Sequence, residues 1–312
     1  MDVLNVFDRP TVPCPRMIMG LGGWMDGGEV STGTIRHLVA ALDAERCAEI
    51  DPLDFYVLNF PAAVASLAIV SDGEHAVVRA VNPMEHAATF RPHTRIRDGL
   101  VEHVSHHPGI FWHATAQGLL LFSAEEPHLR WGSYAETLLD FAEDCGVREI
   151  YFVGSVASPV PHTREPRVYC CYSSPELRER RSRPDINLSE YEGPASFTTY
   201  LLPLADRRGI DFQTIVVEIP HYPFLQIPIY APAILRALDL LADLTGVQTD
   251  TTGLRELREK TMEGLKELMD ENRDFRELVE KLERAYDREE DSEDIRILRR
   301  LIDNIDLGTS EN

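Results

Sequence analysis

The chain has no apolar run approaching the roughly 20 residues of a membrane-crossing helix, so no membrane span is expected. Its opening, MDVLNVFDRP, carries acidic residues and no long apolar stretch, so it does not read as a secretory leader. Positive charge is in deficit: 31 Lys and Arg against 52 Asp and Glu give a formal charge of −21. So acidic a surface repels phosphate backbones and anionic lipid, which argues against nucleic acid and membrane as partners. The one dense basic stretch, Arg178 to Arg183, reads as a solvated loop. Cysteines number five, without CxxC spacing. That argues against a disulfide framework or zinc site and for a reducing cytoplasm. Also missing are GxSxG, GxGxxG and GK[ST], the nucleophile elbow, the dinucleotide fingerprint and the P-loop. No cofactor is implied, and no internal repeat or low-complexity segment is present.

What remains is ordinary globular material. The 312 residues, 44% hydrophobic and 27% charged, suffice for one large core or a core with an appendage. The stretch from Arg16 to Leu42 organises the rest. An apolar run at Met17 to Met19 ends in the glycine turn GLGGWMDGG. Apolar residues then recur at Val30, Ile35, Leu38, Val39 and Leu42 with helical spacing. Strand, tight turn and helix in that order open an α/β sheet.

Further strands are expected at Glu45 to Ile50, Phe55 to Phe60, Glu149 to Gly154, Val168 to Tyr172 and Thr214 to Ile219. Two hairpins are expected, Leu67 to Val81 around Ser71-Asp72-Gly73-Glu74, and Ile110 to Ser123 around Gln117-Gly118. Residues 83 to 109 read as a long loop that leaves room for one short element. Helices are expected at Tyr134 to Cys145, Gly193 to Arg208 and Ala233 to Thr245. Beyond Gly253 a helical stripe runs through charged sequence, with a last helix at Glu293 to Ile305. These helices would pack on the parent domain or on a partner chain. The expected division is an α/β core over residues 1–249 and a helical extension over 250–312.

Three stretches follow expected strands: Glu126-Pro127-His128-Leu129-Arg130-Trp131, Pro161-His162-Thr163-Arg164 and Pro220-His221-Tyr222. They would gather near Gly22, Gly23, Trp24 and Asp26 at the carboxyl edge of the sheet, where ligands of such sheets sit. With Glu192, these make a candidate ligand or interface cluster of Gly22, Gly23, Trp24, Asp26, Glu126, Arg130, Trp131, His162, Arg164, Glu192, His221 and Tyr222. The competing reading is structural, since proline, tryptophan and paired charges lock long loops. His103, His106, His107 and His113, with Glu102, are dense enough to raise a metal question. A metal site needs three or four converging ligands, and a proline-bounded loop does not supply convergence, so none is expected.

The blocks GLGGWMDGG, EPHLRW, PHTREPRV, YEGPASF and IPHYPFLQIPIYAPAILRALDLL occur in that order between about Met17 and Leu244. In this the chain resembles the bacterial, chiefly actinobacterial, branch of the proteasome assembly chaperone two family. The resemblance implies a three-layer α/β/α fold with a mixed central sheet, like that of nucleoside phosphorylases and peptidyl-tRNA hydrolases. It also implies a homo-oligomer, a trimer or other small ring. Eukaryotic members of that family work in pairs to hold the outer proteasome ring during assembly. They and archaeal relatives dock through a C-terminal hydrophobic–tyrosine–any tail. The sequence here closes on Gly308-Thr309-Ser310-Glu311-Asn312, so a proteasome partner would be met by another route.

Two functions are therefore expected, in order. The first is a non-enzymatic oligomeric binding or assembly protein. The second is a small-molecule-binding protein or a phosphorylase- or hydrolase-like enzyme at the carboxyl edge. There His162 or His221 would move protons, Arg130 or Arg164 would hold an anion, and Asp26 or Glu126 would orient them.

Overall fold

A strand without polar alternation is stable only when both its faces are covered, and RMIMGLG is such a strand. The computed structural model describes residues 3–58, 68–71, 76–79, 90–222 and 227–288. Among the described residues the main sheet has nine strands. They are β1 (Leu4–Val6), β2 (Arg16–Gly22), β3 (Glu45–Ile50), β8 (Gly109–Ala114), β9 (Leu119–Glu125), β10 (Glu149–Ser158), β11 (Val168–Cys170), β12 (Asn187–Leu188) and β13 (Asp211–Pro220). Two hairpins lie outside it, β4 (Ala68–Ser71) with β5 (Ala76–Arg79), and β6 (His93–Arg97) with β7 (Leu100–Ser105).

The order across the sheet is β1-β3-β8-β9-β2-β10-β13-β11-β12, with β2 in the middle. The four strands β9, β2, β10 and β13 are parallel, while β8 and β11 run antiparallel to their inner neighbours. The sheet is mixed. Successive β2 residues point to opposite faces. Met17 and Met19 join Tyr134, Leu138 and Phe141 of α2 (Trp131–Asp144) and, beyond α3 (Pro175–Arg181), Phe197 and Leu201 of α4 (Phe197–Arg207). Ile18 joins Ile35 and Leu38 of α1 (Val30–Ala41) and Ile234 and Leu238 of α5 (Ala231–Thr245). The result is the three-layer α/β/α arrangement.

Two helices follow. On α6 (Thr252–Glu271), Leu254 and Met262 pack against the α1–α5 layer. The chain then turns at Asn272, whose carboxamide oxygen accepts from Phe275 N at 3.0 Å and so caps α7 (Arg273–Asp287). Phe275, Leu278, Val279 and Leu282 of α7 bury themselves with Leu265 and Tyr222. The helix expected at Glu293 to Ile305 lies outside the described residues, as do residues 72–75 between β4 and β5.

Three local expectations need correction. Phe55 does not start a strand. Its N–H donates to Pro52 O at 3.0 Å and the Asp51 carboxylate accepts from Leu53 N at 2.9 Å, which makes a turn. The apolar character there serves ring burial, with Phe55 edge-on to Tyr134 at 4.8 Å; residues 59 and 60 lie outside the described residues. Of the stretch 83–109, residues 83–89 lie outside the described residues, and the remainder is not merely loop, because it holds the β6–β7 hairpin. Asp98 and Gly99 turn it with φ of 49° and 78°, the Asp-Gly conformation that matches strand twist. The basic stretch Arg178 to Arg183 is not a solvated loop either. It ends α3, which Ser174 caps by accepting from Leu177 N at 3.1 Å. Carboxylates meet its charges: Arg180 pairs with Asp211 (2.6 Å), Arg181 with Glu149 (2.9 Å) and Arg183 with Asp243 (2.9 Å).

Candidate functional site

Parallel strands leave their carboxyl ends together, so the turns after β2, β9, β10 and β13 share one edge of the molecule. Within it the structure separates the expected residues into two halves.

The half over β2 and β9 is open. A cleft of about 370 Å³ is lined by Gly22, Gly23, Trp24, Glu125, Glu126, His128, Trp131 and Ala195. Gly22 lies opposite Glu125 in the parallel register. A β-carbon at position 22 would stand 2.5 Å from a Glu125 carboxylate oxygen, so the missing side chain is what makes room for that acid. Burial raises the Glu125 pKa, and the charge of Asp26 adds to the rise. Glu125 also borders a second cleft, of about 620 Å³, with Asp26, Thr32, Arg36, Trp112 and Ser123.

Other residues of this half hold the fold. Asp26 secures the first turn of α1, accepting from Ser31 N (2.8 Å), Thr32 N (3.1 Å) and Thr32 Oγ1 (2.6 Å). Its pKa is raised by burial, against which those hydrogen bonds pull. Glu126 accepts from Phe197 N at 2.6 Å and so steadies the start of α4 beside the Ser196 cap. Trp131 donates from Nε1 to Pro127 O at 2.6 Å and packs edge-on to Phe197. Arg130 pairs with Asp54 at 3.1 Å, both side chains well exposed. Trp24 stands at the rim, 68% exposed. Glu192 is exposed in the segment leading to α4.

The half over β10 and β13 is covered by α7. His162 is buried, with Nδ1 2.9 Å from the Tyr222 hydroxyl and its ring parallel to Phe275. Burial pushes this imidazole down to about 4, with the Glu283 carboxylate pulling the other way. Arg164 donates from Nε and Nη2 to Asp287 at 2.8 and 2.6 Å, and from Nη1 to Glu283 at 3.1 Å. Thr163 donates to Glu283 at 2.6 Å. The Arg167 guanidinium lies 3.8 Å from the Tyr286 ring centre, and Tyr286 donates to Glu165 O at 2.7 Å. His221 is exposed, and its backbone N–H donates to Ser158 O at 2.9 Å.

The structure therefore brings His162 and Tyr222 together and seats Arg164 beside them on α7. Gly22, Gly23, Trp24, Glu126 and Trp131 gather separately around the open cleft. Arg130 and Arg164 sit in different halves, each engaged by its own carboxylates. The open cleft is acidic and aromatic, a setting for a cationic or amine-bearing group rather than an anion. Glu125, which borders both clefts, was not among the residues singled out by motif. Its signal was the Gly22–Glu125 register, and strand pairing across a hundred residues is not written in local spacing.

Comparison with curated proteins finds no match. A Mycobacterium tuberculosis protein described as a proteasome-assembly chaperone homologue superposes with a TM-score of 0.66 at 21% identity, covering 85% of this chain and 99% of that one. A Corynebacterium glutamicum protein of unknown function gives 0.68 at 22% identity, covering 91% and 97%. Pyrococcus furiosus PbaB, described as an archaeal proteasome activator, gives 0.58 at 22% identity, covering 85% and 97%. At these identities the likeness is one of fold. The PAC2 family model matches residues 20–269, from the glycine turn through the α/β core and most of α6, and on that match the chain belongs to the PAC2 family.

Proposed function

We propose that the chain is a non-enzymatic, homo-oligomeric cytoplasmic binding protein that assists assembly of a proteasome-type complex. The observation that carries this reading is the β6–β7 hairpin. Its register sets Thr94 opposite Val104 and Ile96 opposite Val101, on one face, while Arg95 lies opposite His103 on the other. Ile96, Val101 and Val104 are 61%, 62% and 48% exposed. A lone two-stranded ribbon is marginal in water, and a second copy laid against the apolar face would cover it. Arg95 and Arg97 balance Asp98 and Glu102, so two copies can meet there without the repulsion expected elsewhere on a chain of formal charge −21. Membership of the PAC2 family supports a proteasome-related partner. The structural contacts that occupy Asp26, Glu126, His162 and Arg164 support a role without catalysis.

Sedimentation velocity on the full chain and on an Ile96→Asp/Val101→Asp variant tests the assembly. The expected result is an oligomer that becomes monomeric in the variant with unchanged circular dichroism. A monomeric parent, or an oligomer indifferent to both substitutions, overturns the hairpin interface. Capture of the full chain on immobilised bacterial proteasome core particles tests the partner, and no capture overturns it.

The open cleft favours a second reading, a site for a small amine-bearing ligand between Glu125, Glu126 and the two tryptophans. Saturable binding of simple primary amines that Glu125→Gln abolishes would support that reading over the first.

A further inference from the structure

Among the described residues, His113 is a histidine with an unanswered nitrogen. It sits near the end of β8, 9% exposed, with Nδ1 2.6 Å from Thr115 Oγ1. Its Nε2 is buried without a hydrogen-bond partner, an arrangement that normally carries a desolvation penalty. Directly across the antiparallel register on β3 stands Glu45. Asp8 follows β1 and folds over the same strand, its N–H donating to Cys47 O at 3.1 Å. Asp8 Oδ1 accepts from Arg9 N at 2.9 Å, and Oδ2 lies 3.7 Å from His113 Nε2.

We infer that Asp8, Glu45 and His113 form a site for a divalent transition-metal ion, with Zn²⁺ the best fit. One ligand atom from each residue lies within 4.8 Å of the other two. An ion about 2.1 Å from each ligand holds them up to about 4.2 Å apart. The small remaining closure falls to Asp8 and Glu45, whose side chains are exposed. With Nδ1–H donated to Thr115, the imidazole lone pair sits on Nε2, pointing at the carboxylates. Outer hydrogen bonds of this kind orient metal-bound histidines. Two carboxylates and a neutral imidazole supply two negative charges and an N,O donor set suited to Zn²⁺. Of the nearby cations, Arg9 is turned to Asp144 at 3.2 Å, and Arg46 pairs with Glu49 and lies over the Phe7 ring.

His113 faces Leu120 on β9, which in turn faces Met17 on β2, so the site lies toward the amino edge of the parallel strands. It shares no residue with the carboxyl-edge clefts, although Trp112, next to His113, borders the larger of them. Bound there, the ion would staple the segment after β1 to β3 and β8.

Calorimetric titration of the full chain with Zn²⁺, repeated on Asp8→Asn and Glu45→Gln, tests the inference. Both positions are exposed, so the variants keep the fold. The expected result is one equivalent of Zn²⁺, a dissociation constant at least tenfold weaker in each variant, and a Zn²⁺-dependent rise in melting temperature that each variant loses. Absence of Zn²⁺ binding overturns the site. So does binding that both variants leave unchanged, which would put the ion on surface histidines or a cysteine.

Discussion

The Tyr222 hydroxyl lies 2.9 Å from His162 Nδ1 and 3.0 Å from the His162 backbone nitrogen, so one phenol anchors both ring and chain. Phe275 closes over the pair, its ring edge-on to Tyr222 at 5.1 Å. A histidine marked in the sequence only by its place after a strand thus becomes a point where α7 meets the core.

This contact carries a pH dependence. Burial depresses the His162 pKa from its ordinary 6.5 to about 4. Between those values the unfolded chain binds a proton at this position that the folded chain does not, so stability falls as pH drops from 6.5 toward 4. The contribution is on the order of 3 kcal/mol at most. Urea titrations across that range should show His162→Gln with a flatter pH dependence than the parent. Parallel curves would exclude His162 as the cause.

Asp26 reverses the sign. Burial raises its pKa above 3.8, so the folded chain favours the protonated acid. Stability from this group is greatest below 3.8 and declines as pH rises through the folded value. Asn at this position keeps an acceptor for Ser31 and Thr32 without the buried charge. At pH 7, Asp26→Asn should stay within about 0.5 kcal/mol of the parent, whereas Asp26→Ala loses the acceptor for Ser31 and Thr32 and costs about 1–2 kcal/mol. Chemical denaturation of the two variants distinguishes the roles, and equal losses would mean the charge itself is needed.

Two glycines should respond oppositely to alanine. At Gly20 a β-carbon would stand 2.5 Å from Ser31 O and 2.8 Å from Ile35 Cγ1, forcing α1 away from β2. Overpacking of this kind costs about 1–3 kcal/mol. At Gly264, exposed on α6, nothing lies within 4 Å of the added carbon, and the gain in helix propensity is up to about 1 kcal/mol. Thermal unfolding of Gly20→Ala and Gly264→Ala should move in opposite directions.

Much of the architecture was legible because burial imposes periodicity. The apolar stretch at β2, the helical stripe of α1 and the Gly146 and Gly246 helix ends all follow from short-range pattern. The β6–β7 hairpin escaped because its alternation, Thr94 and Ile96 against Val101 and Val104, is broken by an irregularity between Arg95 and Ile96 and set among polar residues. The Asp98-Gly99 turn was its readable signal. The placement of the candidate residues was half legible: proline and histidine follow β9, β10 and β13, whose ends share one edge of the sheet. Nothing local could show that Asp287 and Glu283, more than a hundred residues away, would engage Arg164.

The central position of β2 has a consequence for synthesis. Its partners β9 and β10 begin about a hundred residues or more further along the chain. At about 5–20 residues per second, this strand, buried along almost its whole length in the folded sheet, leaves the ribosome and waits on the order of 5–20 s before either neighbour exists. During that interval the nascent chain carries a sticky strand with both edges bare. Help from general chaperones in its first seconds follows from the order in which its strands are made.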